Sequence, residues 1–157
     1  MILTYVAGGA GVAVAFYRLG IGSKQALTAI AIAYVAMGLL SWVRHVLLWK
    51  QDVKRLNVRT QAEPFFQWET GFANGGFAVA CLMAVVFGWG VAAMAATVLG
   101  YTLYLLQAAI LHGYRYFSGQ SRTPARLWGS FGANALLCIL VTIIAVIALR
   151  DAAVMPW

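Results

Sequence analysis

The side chains of this sequence with most chemical potential are two imidazoles, one carboxylate and two carboxamides: His45, His112, Glu69, Gln67 and Asn74. All lie in or beside long apolar runs, where an ionised carboxylate costs several kcal/mol unless it is paired, neutralised or near water. Glu69 therefore needs a partner, and His45 or His112 is the natural one. Three chemistries follow. A hydrogen-bonded Glu and His pair would hold helices together, as intramembrane polar groups often do. Two imidazoles and a carboxylate from separate helices also match the donor set of a zinc or non-haem iron ion at His45, Glu69 and His112, with Gln67 and Asn74 as outer support. Haem is the third, with His45 and His112 as axial ligands and Trp42 and Trp68 packed nearby. The spacing does not choose among these, because the donors are dispersed and form no compact motif such as His-Glu-x-x-His.

A proton relay or transport path through Glu69 and the histidines is a further reading. Against it, no ionisable side chain other than tyrosine lies beyond Cys81 and Gln107 toward the opposite face to complete a path, unless several copies assemble around one. Cys81 and Cys138 sit within apolar runs, outside any Cys-x-x-Cys spacing, and read as inert thiols. No nucleophile and base pair, phosphate-binding glycine loop or pair of catalytic carboxylates is present, which argues against the chemistry of a classical soluble enzyme.

These residues depend on elements that the composition defines. Hydrophobic residues make up 63% of the chain and charged residues 10%, too few to clothe a water-soluble fold. A membrane helix needs about 20 mainly apolar residues to cross roughly 30 Å of hydrocarbon. That rule predicts an all-α, single-domain bundle of about five transmembrane helices, near residues 2–21, 25–49, 66–87, 91–117 and 127–149. The stretch from Thr70 to Tyr114 lacks Asp, Glu, Lys and Arg and is too long for one crossing, so Gly88-Trp89-Gly90 is read as its turn. The polar connection from Gln51 to Pro64 is a candidate for a short surface helix.

The net charge of +7 falls between apolar runs and not along an aromatic-studded face, so it marks topology and contact with lipid headgroups and not nucleic acid. Arg44, Lys50, Lys54, Arg55, Arg59, Arg115, Arg122 and Arg126 fall on one side; Arg18, Lys24 and Arg150 fall on the other. The positive-inside rule then places the N-terminus in the cytoplasm and the C-terminus outside. His45, Gln67, Glu69, Asn74, His112 and Asn134 all fall toward the more basic side. Three-and-four spacing puts Tyr34, Gly38, Ser41, His45 and Trp49 on one stripe of the second span, and Gln67, Gly71, Asn74, Ala78 and Cys81 on one stripe of the third. Both stripes are expected to face other helices.

The run Phe66-Gln67-Trp68-Glu69-Thr70-Gly71-Phe72-Ala73-Asn74 resembles the Phe-Gln-x-Glu-x-Gly-Phe-Ala-Asn signature of an uncharacterised family of small bacterial multi-pass membrane proteins, known only as a domain of unknown function. The likeness extends from Leu40 to Gly113 and takes in His45, His112 and Ala96-Thr97-Val98-Leu99-Gly100; Gly75 departs from it, standing where the family has a larger apolar residue. The resemblance implies a bacterial inner-membrane location and points to His45, Gln67, Glu69, Asn74 and His112. It implies no activity, cofactor or substrate. The expected function is therefore a multi-pass membrane protein whose polar cluster is structural or binds a small ligand or metal ion. An accessory subunit, partnered by other membrane proteins or by copies of itself, is the competing expectation.

Overall fold

The computed structural model describes residues 2–56, 65–119 and 122–154. Its elements are α1 (Ile2–Leu19), α2 (Ser23–Trp42) continued by a π-helical turn (Val43–Leu47), α3 (Trp49–Leu56), α4 (Phe65–Val86), α5 (Val91–Phe117), and a π-helical segment (Ala125–Ala133) that runs into α6 (Asn134–Val154). The described residues contain no strand. Five helices are long and apolar enough to cross a membrane: Ile2–Leu19, Ser23–Leu47, Phe65–Val86, Val91–Phe117 and Arg126–Val154. The last begins in the π-helical segment and continues past Arg150, where the hydropathy reading ends it. The connection after Gln51 opens as part of helix α3, whereas Arg59 and Glu63 lie outside the described residues.

Helix α2 is the centre of the bundle and packs against α1, α4, α5 and α6. Its core residues include Ile30, Tyr34 and Met37, which meet Val98 and Tyr101 of α5 and Val141 and Ile144 of α6 in the buried interior, while Leu27 packs with Met94 and Ala95 of α5 and Ala145 and Ala148 of α6. The stripes read from the sequence point inward within the spans: Tyr34, Gly38, Ser41 and His45 are buried on α2 and its extension, and Gln67, Gly71, Asn74, Ala78 and Cys81 are buried on α4, whereas Trp49 falls at the start of α3 and is partly buried. The opposite surfaces carry Phe72, Val79, Leu82, Leu103, Ile110, Ile139, Ile143 and Val146, all exposed, as a lipid-facing girdle requires.

Helices α2 and α4 approach closely at Gly38. A Cβ added to Gly38 would stand 2.6 Å from the Asn74 carbonyl oxygen and 2.7 Å from Ala78 Cβ, so only hydrogen at this position lets the two backbones meet. Gly75 leaves room for the indole of Trp42, whose Cδ1 would lie 2.9 Å from a Cβ there.

At the end of α4, Gly88 takes a left-handed conformation (φ 62°), and the Trp89 N–H donates to the Ala84 carbonyl at 3.0 Å. This is a glycine-terminated helix end, and it reverses the chain where the sequence placed a turn. Lys24 Nζ donates to the Gly88 carbonyl at 3.2 Å and the Ser23 hydroxyl donates to Asp151 Oδ2 at 3.3 Å. The α1–α2 turn, the α4–α5 turn and the end of α6 thus share one face of the bundle, opposite the face that carries Arg44, Lys50, Lys54, Arg115, Arg122 and Arg126.

Hydroxyls within the spans are satisfied locally. Thr70 donates to Phe66 O at 2.9 Å, Thr97 to Ala93 O at 2.9 Å and Thr142 to Cys138 O at 2.7 Å. Each bond returns to the preceding turn and leaves no donor facing lipid.

Candidate functional site: a buried polar clamp on the basic face

The π-helical turn Val43–Leu47 carries His45, and the Leu48 N–H donates to the Val43 carbonyl at 3.0 Å, a bond spanning five residues. The chain then enters α3, which turns Asp52 back toward the end of α2. The Asp52 side chain has no exposed surface. Its Oδ2 lies 2.9 Å from His45 Nδ1 and its Oδ1 lies 3.4 Å from Arg44 Nε. Gln67, on the first turn of α4, brings its Oε1 to 2.7 Å from the same His45 Nδ1.

The hydrogen-bond pattern fixes the tautomer of His45. Arg44 Nη2 lies 2.8 Å from His45 Nε2, and guanidinium nitrogens only donate, so Nε2 accepts. The ring proton is therefore on Nδ1, directed at the Gln67 carbonyl oxygen, with Asp52 Oδ2 beside it at 2.9 Å. Both imidazole nitrogens are used. A buried carboxylate loses several kcal/mol of hydration, which the charge of the adjacent Arg44 guanidinium offsets.

About two helical turns deeper on α4, Asn74 organises a second network. Its Oδ1 accepts from the Tyr101 hydroxyl at 2.7 Å, and its Nδ2 donates to Thr70 O at 2.8 Å and to the Tyr104 hydroxyl at 3.2 Å. Tyr101 stacks on Phe77 (ring centroids 5.0 Å apart, interplanar angle 6°) and meets Tyr34 edge to face at 4.8 Å. The Tyr34 and Thr102 hydroxyl oxygens are 2.8 Å apart; Thr102 spends its proton on Val98 O, so Tyr34 is the donor. These bonds tie α2, α4 and α5 together through the interior. Asn74→Leu orphans the Tyr101 hydroxyl and is expected to cost about 1–3 kcal/mol. Adding Tyr101→Phe is expected to recover part of that loss, which a double-mutant cycle on unfolding in detergent measures.

The structure separates the remaining donors read from the sequence. Glu69 is exposed on the outer surface of α4. His112 is half-buried on α5, and Asn134 returns its Nδ2 to the Ser130 carbonyl at 3.0 Å. Among the described residues no group of three His, Cys, Asp or Glu side chains is placed to hold a metal ion. His45, Glu69 and His112 therefore form no ligand triad. An axial haem bond to His45 Nε2 would have to displace Arg44. The sequence reading omitted two members of the cluster that does form, Arg44 and Asp52. A signal for Asp52 was available: it lies three residues beyond Trp49 and continues the inward stripe of the second span.

Helices of this length, with apolar flanks and polar groups bonded inward, define a multi-helix protein made for a lipid bilayer. The chain belongs to a family of unknown function (DUF6790), whose model matches residues 3–153. It matches no curated protein and no solved structure.

Proposed function

We propose that this protein is a non-catalytic component of the bacterial inner membrane, with its N-terminus in the cytoplasm, that holds helix α3 as a fixed basic platform for a partner in a larger membrane assembly. The observation that carries this reading is the clamp on Asp52. The chain has four acidic residues, and one of them is wholly buried to attach an eight-residue helix to the bundle. With Asp52 turned inward, Lys50, Gln51 and Lys54 are left exposed on α3. A loosely tethered helix would suffice to contact headgroups by charge alone. A pinned one presents its side chains in a fixed arrangement, as recognition of a protein surface requires. The saturated nitrogens of His45 favour this structural role over metal or haem ligation.

The experiment is photo-crosslinking in native membranes from a probe at Lys54, read by mass spectrometry, in the full chain and in an Asp52→Ala variant of equal helix content. The reading predicts one membrane-protein partner, captured in fixed proportion to the chain and reduced at least fivefold by Asp52→Ala. Crosslinks confined to lipid, or a partner yield indifferent to Asp52, would exclude it.

A further inference from the structure

A groove of about 700 Å3 runs between α1 and α2 and opens to the lipid-facing surface, within the roughly 300–1,000 Å3 typical of ligand clefts. Its walls are made of small side chains, among them Ala7, Ala10, Ala29, Ala33 and Ala36. The floor is the contact of Gly11 with Ala33, where any larger side chain on α1 would collide. Toward the face opposite the clamp its lining changes character, to Arg18, Lys24, Gln25 and Thr28.

The length of the groove matches one leaflet. From Arg18 to Ala7 along α1 is about 16 Å at 1.5 Å per residue, close to half the roughly 30 Å hydrocarbon thickness. A cavity with alkane-like walls, a basic mouth at headgroup depth and an end near the bilayer midplane has the polarity profile of a single acidic lipid. We propose that the α1–α2 groove binds an anionic phospholipid, with one acyl chain against the alanine walls and the phosphate between Arg18 and Lys24.

Charge argues for this occupant. Arg18 and Lys24 are exposed, and among the described residues neither has a carboxylate within 4.0 Å; Lys24 donates only to the Gly88 carbonyl, and Asp151 is approached by Ser23. A second copy packed here about a two-fold axis along the membrane normal would bring two more cations to the same depth. A zwitterionic lipid offers a phosphate together with a compensating cation. An anionic lipid alone supplies net negative charge.

The test is native mass spectrometry of the full-length protein, extracted by mild detergent from phosphatidylcholine vesicles containing phosphatidylglycerol as a minor component. One phosphatidylglycerol should be retained per chain. Its enrichment over the vesicle ratio should be roughly 30-fold, as expected for two cations at the membrane surface. An Arg18→Gln, Lys24→Gln double variant should return the retained lipid to the vesicle ratio. Ala10→Phe, which fills the groove from an exposed rim position, should cut retention of both lipids at least tenfold at unchanged helix content. Retention indifferent to headgroup, enrichment that survives the double variant, or a lipid-free dimer would each overturn the assignment.

Discussion

Asp52→Ala is expected to lower the apparent thermal midpoint of the detergent-purified protein by roughly 10 °C. Removing one partner of a buried ion pair costs about 3–5 kcal/mol, and each kcal/mol shifts the midpoint by about 2–4 °C in a chain of this size. The cost arises because the His45 Nδ1–H loses its carboxylate while Arg44 keeps a charge that Asp52 had balanced. Asp52→Asn retains an acceptor for His45 and should lose less. Replacing both charges, as Arg44→Met with Asp52→Leu, should recover much of the deficit, since a hydrophobic pair of similar volume often equals a buried ion pair. Circular dichroism on heating measures all three variants, and an Asp52→Ala protein that melts with the wild type would show that the clamp does not hold α3.

The second large effect is expected at Gly38. Its hydrogen faces backbone and not a movable side-chain tip: the Asn74 carbonyl oxygen would be 2.6 Å from an added Cβ. Gly38→Leu must push α2 and α4 apart, which breaks the packing around Tyr101 and Asn74 and costs at least about 3 kcal/mol. The expected result is a protein recovered mainly as aggregate in size-exclusion chromatography, with the soluble fraction melting early. Gly76→Ala is the control. It lies on α4, the helix that Gly38 faces, with no atom within 4 Å of the added carbon, and should be neutral or slightly stabilising. Equal behaviour of the two variants would remove the α2–α4 contact from any role in stability.

Most of the architecture was legible because its causes are local. Span length follows from bilayer thickness, and the inward stripes on α2 and α4 follow from helical periodicity, so residues such as Gly38, His45, Gln67 and Asn74 were placed correctly by counting. The site was read less well, for two reasons. Glu69 stands two residues after Gln67, about 200° around the helix, so the stripe that turns Gln67 inward turns Glu69 outward. Asp52 failed in the other direction. It lies in a polar stretch read as a connection, so the stripe that runs through Trp49 was not carried on across the turn at Leu48 that returns the carboxylate to His45, seven residues earlier.

The five-residue π-helical turn at the end of α2 has a consequence for how this protein can vary. Such a turn accommodates one residue more than an α-helix would, and one residue is worth about 100° of rotation. The extra residue sits in the wall that the end of α2 presents to α4, where Val46 Cγ2 and His45 Cβ would stand 2.5 Å and 3.1 Å from a Cβ on Gly71. Losing or gaining one residue between Trp42 and Leu48 would swing His45 away from Gln67 and Asp52, so the length of this interval is held constant by the contacts it makes.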